Sequence, residues 1–589
     1  MTVVKRPVKS ALAIMQGPAT IQPPSFVTPV VLCILITETA ERFSYFGFRA
    51  ILVLYFTRAL EYDEATAIAL FAYMTCLAYL SPILGALLAD GHFGRYTTIL
   101  LFGCIYAIGL VILTVGAFMD SSDLDTKRLL TFLGLLLVCL GTGGIKPCVS
   151  AFGADQVANQ GQNNDEGSCP LTTEVSHIVG TEPCSQDTNG DKKPVDDAES
   201  RVRAFFASFY FCINLGAVTS IFIIPILRAN FGFGAAFLTP TIFVMLAMLA
   251  FLSKSKEYVH HDHGETSLAT TFRLCWWLLR KRISNISLVH RCFPCIRPSR
   301  HPLLSSAPES SANNDEVNHD DADTAWNRQL SDAAQALHVM PIMGMLPIFW
   351  MLYDQQGSVW TLQATRMALH GLQPEQLNVV NPVEIMIFIP LFDRCIYPAM
   401  ERRGWNISHL RRMGWGMLLA AMSFFMSGIL ESRIESRQAH GAAQVHVLWQ
   451  LPQITILAIA EIFLSVTGLE FAYATSPDRL KAFLMALYLL TTAVGDFFSG
   501  LLYSSVFQGL NRATVMHVCA VLMLGNLGLF CFVASWWERS EAPYGMNAGS
   551  TMRGAVRLSL SSDMDYESLS RTTSFKGVEM QIQPNAVIT

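Results

Sequence analysis

Between Phe26 and Phe56 one long apolar stretch carries Glu38, Glu41 and Arg42 at its middle. By insertion scales an acid or base at the centre of a bilayer costs about 2.5–3.5 kcal/mol, so such residues mark a working site more often than filler. At about 100° per helical residue, Glu38, Glu41, Arg42, Tyr45 and Arg49 fall on one face, while Ala40, Phe43 and Leu54 fall elsewhere. The stretch is expected to be a membrane-crossing helix with one polar stripe turned to an interior, and function is expected on that stripe.

Other apolar stretches add to the set. Lys146 stands in Gly141-Thr142-Gly143-Gly144-Ile145-Lys146-Pro147, and Tyr210 and Asn214, four apart, share a face. Trp350, Tyr353, Asp354, Gln355 and Gln356 cluster in a later stretch, followed by Asn381 and Glu384, then Glu461, Ser465 and Glu470. Glu461 and Ser465 are expected on one face, with Glu470 opposite. For Tyr45, Tyr79, Tyr488 and Ser465 the pattern fits packing against a neighbouring helix as well as contact with a solute. Glu384 and Asp354 also read as structural pairs at helix contacts.

The elements that must position these residues are membrane helices. The chain has 589 residues, 52% hydrophobic and only 15% charged, with a mean hydropathy of +0.37, too apolar for a soluble enzyme of this size. A crossing needs about 20 apolar residues. Twelve stretches qualify: 26–57, 65–89, 97–118, 129–150, 203–227, 234–252, 339–359, 380–400, 411–430, 446–473, 480–507 and 514–537. The prolines at 18–29 and the bases Lys5, Arg6 and Lys9 do not read as a cleaved leader.

Lys and Arg in the loops set the expected orientation. Lys5, Arg6 and Lys9 precede the first stretch, residues 271–300 hold bases and no acids, and Arg394, Arg402, Arg403, Arg411 and Arg412 flank stretches eight and nine. With twelve crossings these fall on one side, so both termini are expected in the cytoplasm. Most cysteines, among them Cys33, Cys76, Cys104, Cys139, Cys212, Cys519 and Cys531, lie in apolar stretches and read as small hydrophobes. Cys169 and Cys184 are expected reduced in a cytosolic loop, or paired were that loop outside. Cys292 and Cys295 have no second cysteine pair to complete a zinc site, so no metal is expected.

Polar inserts divide the chain into a tail at 1–25, six stretches at 26–253 with an acidic insert at 155–202, a linker at 254–338, six more stretches at 339–538, and a Ser-rich tail at 539–589. Leu268–Arg282 mixes Trp276 and Trp277 with Arg273, Arg280, Lys281 and Arg282, the pattern of a helix at the lipid interface or of a plain linker helix. Six plus six around a cytosolic loop is the layout of the major facilitator superfamily. Gly85, then Ala89-Asp90-Gly91-His92-Phe93-Gly94-Arg95, resembles that superfamily's loop motif, in which Asp90 and Arg95 are expected to pair. The expected fold class is an all-α polytopic membrane protein of that superfamily, twelve helices in two six-helix bundles.

The string Glu38-Thr-Ala-Glu41-Arg42-Phe43-Ser44-Tyr45-Phe46-Gly47 resembles the first-helix signature of the proton-dependent oligopeptide transporter family. Phe209-Tyr210-Phe-Cys-Ile213-Asn214-Leu-Gly216 resembles its fifth-helix signature. The run from Phe349-Trp350 through Asp354-Gln355-Gln356-Gly357-Ser358 to Ala364, and the run Glu461 to Phe471, are similar to its animal branch. The resemblance implies a carrier, not an enzyme, that moves di- and tripeptides with protons as the coupling ion and no other cofactor. In such a carrier Arg42 and Lys146, with Arg49, would hold the peptide carboxylate by charge-assisted bonds. Glu461, with Asn214 and Asn381, would hold the ammonium. Tyr45, Tyr79, Tyr210, Trp350, Ser465 and Tyr488 would line the side-chain space, and Glu38, Glu41 and Glu461 would carry protons beside Arg42 and Lys146.

The sequence departs from that branch in places. Span two reads Phe71-Ala72-Tyr73 where the animal branch has a histidine, Val359 stands where it has an arginine, and His338 stands for an arginine expected to pair with Asp393. His338 and Asp393, with Asp90 and Arg95, are the expected gating residues. The large outer domain of the intestinal type is missing, since only 431–446 joins spans nine and ten. Expected partners are the peptide and membrane lipid, with no nucleic acid and a monomer as default; the expected location is the plasma membrane, with an endolysosomal membrane as the alternative. Rival readings are a same-fold carrier of nitrate, an amino acid or a peptide-like metabolite, and a receptor or scaffold that does not transport. No His-Glu-x-x-His, Gly-x-Ser-x-Gly or phosphate-binding glycine loop is present to suggest an enzyme.

Overall fold

The computed structural model describes residues 28–89, 93–119, 123–159, 193–259, 338–404, 408–475 and 481–541. Within them α1 is Pro29–Arg58, α2 Glu64–Leu88, α3 Gly94–Phe118, α4 Leu124–Asn159 and α5 Lys193–Ser253. The later part holds α6 Pro347–Tyr353, α7 Val359–Ala364, α8 Val380–Leu391, α9 Tyr397–Arg402, α10 His409–Ala439, α11 Leu451–Glu461, α12 Thr467–Ala474, α13 Lys481–Leu501 and α14 Arg512–Glu541. The two tails, the span 160–192 within the acidic insert, the interfacial segment 268–282, Asp90, Cys169, Cys184, Cys292 and Cys295 lie outside the described residues.

Local chemistry sets the helix starts. Thr28 caps α1 by accepting from the Val31 amide at 3.4 Å, with Pro29 in the first turn, where its missing N–H costs nothing. Asp63 caps α2 through the Thr66 amide at 3.1 Å. α5 reverses at Gly232, whose φ of 82° suits a residue without Cβ, and so holds spans five and six.

Eight helical stretches among the described residues are long and apolar enough to cross a membrane, one of them the double-length Ala204–Ser253. The other expected crossings are α1, whose buried charges dilute its hydropathy, and spans seven and eight, which are interrupted. Span seven is the more broken: residues 344–346 turn before Pro347, and a 3-10 turn at Asp354–Gly357 separates α6 from α7. Spans eight, ten and eleven each contain a π turn, at Phe392–Ile396, Ile462–Val466 and Leu502–Val506. Span nine runs to Ala439, about two and a half turns past the expected end, because Glu431 is held inside the protein instead of opening a loop.

Packing is dense within each half: α1 lies on α5, α2 and α3 on α4, α10 on α14 and α11, and α13 on α6. The outward surface is apolar, with Ile108, Val115, Phe222, Leu246, Phe425 and Leu529 all exposed, as expected where the solvent is lipid. Between halves, α2 lies along α13 and the 3-10 turn Pro374–Val379 lies on α5.

Ion pairs concentrate that contact at one end. Glu64 of α2 binds Arg366 at 3.2 Å and Arg512 at 2.7 Å, Arg228 of α5 binds Glu375 at 2.5 Å, and Arg49 of α1 pairs with Asp354. All four cross from the first half to the second. At the other end the pairs Arg95–Asp155, Lys254–Glu257 and His409–Glu470 stay within one half each. The halves are thus closed at the end carrying residues 59–63 and 507–511.

Candidate functional site

The stripe on α1 faces inward. Glu38, Glu41 and Arg42 are all buried, and Arg42 is held by both acids, through Nε to Glu38 Oε1 at 3.0 Å and Nη2 to Glu41 Oε2 at 2.6 Å. Two carboxylates on one guanidinium leave a surplus negative charge when both are ionised, and Glu41 Oε1 has no hydrogen-bond partner. A surplus charge removed from water is expensive unless a cation or a proton offsets it.

α4 delivers a cation to the same half. Its crossing with α2 is closed by glycines: a Cβ on Gly85 would stand 2.1 Å from the Gly143 carbonyl oxygen, and one on Gly143 would stand 2.6 Å from Ser81. The Ser81 hydroxyl donates to the Cys139 carbonyl at 2.7 Å. This close approach puts the Lys146 ammonium 4.1 Å from the centre of the Tyr79 ring and 5.9 Å from that of Tyr45. Both rings are buried, so the half-buried lysine points into the protein. Among the described residues no carboxylate lies within ion-pair distance of Lys146, and the Tyr45 hydroxyl has no partner.

Span five brings Asn214 against α1. A Cβ on Gly216 would stand 2.6 Å from the Thr39 carbonyl oxygen and 3.1 Å from the Arg42 Cβ. Asn214 donates to the Tyr210 carbonyl at 2.9 Å and leaves its own side-chain oxygen unpartnered. Tyr210 is half-buried and faces Glu461 of the second half.

Glu461 closes α11, fully buried. Asn381 of α8 donates to its Oε2 at 3.4 Å, while Oε1 has no hydrogen-bond partner. A π turn, Ile462–Val466, follows and holds Ser465, which is buried like Glu461. The Ser465 carbonyl and hydroxyl accept from Tyr488 at 2.8 and 3.2 Å, a bond that ties α13 to this turn. Trp350 meets Tyr488 edge to face at 6.2 Å, and its indole N–H has no partner. Phe46, Arg49 and Ile221 of the first half and Tyr353, Asn378 and Asn381 of the second line a cavity between the halves.

The structure also shows the surroundings of four other expected residues. Arg49, expected to help hold a carboxylate, is engaged by Asp354 and lies 5.2 Å from the Phe71 ring centre. Arg95 pairs with Asp155 at the end of α4, which packs beside α3; Asp90, its expected partner, lies outside the described residues. His338 rests against Trp536 and Trp537, with ring centres 6.2 and 5.7 Å away; the Asp393 side chain lies outside the description. Glu384 accepts from Thr455 at 2.5 Å, a contact between α8 and α11.

Sequence reasoning missed Asp496. It is fully buried in α13 with no hydrogen-bond partner on either oxygen, although an acid in so apolar a stretch is the same signal that singled out α1. It also missed the clasp of Glu64 with Arg366 and Arg512. Those residues sit at stretch ends, where charge is unremarkable until the fold brings the ends together.

A twelve-crossing chain with buried acids and bases in both halves invites comparison with known carriers. The human solute carrier family 15 member 2 is 34% identical over 449 residues, which cover 74% of this chain and 53% of that protein. Peptide transporter family 1 of Drosophila melanogaster is 34% identical over 428 residues, covering 70% and 49%. The chain spans about half the length of the curated relatives it matches. The crystal structure of an auto-inhibited POT family peptide transporter superposes with a TM-score of 0.65 at 23% identity, over 86% of this chain and 97% of the other, which shows the major facilitator fold. The pattern of the family described as PTR2, POT family, matches residues 96–518. With these matches running through both halves, the chain is a multi-pass membrane protein that belongs to the proton-dependent oligopeptide transporter (POT) family.

Proposed function

We propose that this protein is a proton-coupled symporter that imports di- and tripeptides by alternating access. The observation that carries the reading is a base and an acid, one from each half, with room for a partner: the Lys146 ammonium without a carboxylate, and the Glu461 carboxyl with Oε1 unpartnered. Every short peptide ends in a carboxylate and an ammonium whatever its side chains. Lys146, beside Arg42, holds the carboxylate; Glu461, with Asn381 and Asn214, holds the ammonium. Tyr45, Tyr79, Tyr210 and Trp350 give the middle of the peptide an adaptable amphipathic lining. Gripping both ends draws the halves together and leaves side-chain choice broad.

Glu38 and Glu41 carry the protons. Protonating either acid frees Arg42 from one of its two partners and removes the surplus charge that Lys146 offsets. One proton moving inward yields about 2.3 kcal/mol per 100 mV and about 1.4 kcal/mol per pH unit. Either supports roughly tenfold accumulation of a neutral peptide. With both termini in the cytoplasm of a cell whose plasma membrane holds the carrier, the closed end faces outward and the conformation is inward-facing.

The test is uptake of labelled dialanine into proteoliposomes under an imposed pH gradient, with Glu38→Gln and Glu461→Gln beside the native chain. Native uptake should follow the gradient, Glu38→Gln should lose gradient-driven accumulation while retaining exchange, and Glu461→Gln should lose most uptake. Native uptake that ignores the gradient removes the coupling, and full activity in Glu461→Gln removes the ammonium clamp. A same-fold carrier of nitrate would have no use for Glu461.

A further inference from the structure

Asp496 has no part in that mechanism, yet its surroundings are built around it. α13 lies in a crevice between α6 and α2. On one side of Asp496, Gly495 is pressed so close to α6 that a Cβ would stand 2.3 Å from the Pro347 carbonyl oxygen and 2.9 Å from the Trp350 Cβ. On the other, Phe497 tilts against Tyr73 of α2 at 6.2 Å, and the Tyr73 hydroxyl bonds Ser504 at 3.1 Å. The carboxyl is thereby fixed at the seam between the halves, fully buried.

What it meets there is a second carboxyl. Asp354 stands within hydrogen-bonding reach of Asp496, and beyond it is the Arg49 guanidinium that Asp354 pairs with. An ionised carboxylate accepts hydrogen bonds and donates none. Two of them face to face therefore have no donor between them, and Asp354 Oδ2 and both oxygens of Asp496 have no hydrogen-bond partner. The other groups that face the pair are Tyr45 of α1 and Cys76 of α2 beside Asp496, and Tyr353 and Glu461 beside Asp354, none of them a cation. Glu470 of α12 is paired with His409 instead. One guanidinium cannot balance two buried carboxylates; a single proton supplies both the missing donor and the missing charge, as in other acid pairs that share one proton.

We propose that Asp354 and Asp496 share one proton under Arg49 and form a proton-binding site at the closed end of the seam, separate from Glu38 and Glu41. Arg49 belongs to the first half and both acids to the second, so the proton content of the pair sets the pull between the halves. Without the proton two negative charges hold Arg49. With it one does, and a second proton leaves Arg49 unheld. Acid at that face slackens the clasp. As a coupling site this rests on the symport reading; as a proton site it does not.

The experiment uses the full chain in lipid and reads the protonated-carboxyl C=O stretching band in pH-difference infrared spectra, which needs no substrate. The native protein should show a titrating buried-carboxyl band that is lost in Asp496→Asn and in Asp354→Asn, displaced in Asp496→Glu, and unchanged in Glu38→Gln. A band that persists unaltered in folded Asp496→Asn overturns the proposal, and so does one that persists in Asp354→Asn should Asp496→Asn fail to fold. Dialanine uptake measured in parallel separates the two ideas. An absent uptake with an Asp496-dependent band defeats only the carrier reading, and gradient-driven uptake without that band defeats only the shared proton.

Discussion

The Lys146 ammonium stands over the Tyr79 ring at 4.1 Å, an aromatic partner where a carboxylate would ordinarily be found. A cation held by a ring face keeps its charge available, since the attraction is worth about 0.5–2 kcal/mol and is not a neutralising ion pair. Lys146→Gln should therefore raise the KM for dialanine about 10- to 100-fold, the loss of one charge-assisted bond of about 1.5–3 kcal/mol. Dialanine amide, which has no carboxylate, should be transported no better by the native chain than by the variant. Competition uptake with both ligands checks this; an equal loss for both would place Lys146 outside the carboxylate site.

The ion pairs from Glu64 to Arg366 and Arg512 hold the halves together at one end only. Glu64→Gln should shift the population toward the state open at that end by about 1–2 kcal/mol for the pair of partly exposed contacts, a change of about 5- to 30-fold. Pulse-EPR distances between labels at Ala65→Cys and Leu510→Cys should lengthen and broaden. Unchanged distances would show that the clasp does not set the equilibrium.

Gly85 has no room for a side chain, with the Gly143 carbonyl oxygen 2.1 Å from where its Cβ would be. Gly85→Val should separate α2 from α4 and lower stability by about 3 kcal/mol or more, seen as a drop in Tm in detergent. Gly528→Ala is the control. Nothing lies within 4 Å of its would-be Cβ, so it should be neutral or gain about 1 kcal/mol from helix propensity.

Asp63 caps α2, and the hydrogen bonds from Thr66 hold its carboxyl below the usual aspartate range. A depressed value in the folded state means stability that is present above the ordinary aspartate range and fades as pH falls through the lowered one. Asp63→Ala should cost about 1 kcal/mol at neutral pH, and the gap from the native chain should close in acid. A gap that persists below the aspartate range would show that the carboxylate is not the stabilising group.

The twelve crossings and the α1 stripe were legible because burying charge in lipid is so costly that Glu38, Glu41 and Arg42 are conspicuous wherever they occur. Lys146 and Glu461 stood out for the same reason. What spacing could not supply was pairing across the chain. Arg49 was grouped with its neighbours on α1, yet its partner is Asp354, which only the meeting of the two halves brings near. Nothing in Ile462–Val466 announces the π turn that holds Ser465. Asp496 was overlooked among the phenylalanines that follow it, although burial of a lone acid needs a partner as much there as in α1.

Three of the crossings in the second half contain a five-residue wide turn, at Phe392–Ile396, Ile462–Val466 and Leu502–Val506. Each such turn stores one surplus residue. If it is squeezed back into regular winding, every side chain beyond it swivels by about 100° and the rod lengthens by about 1.5 Å. The second half therefore carries built-in joints directly after Glu461 and within the span of Asp496, so a change of winding there re-aims the stretches on either side of each turn relative to one another.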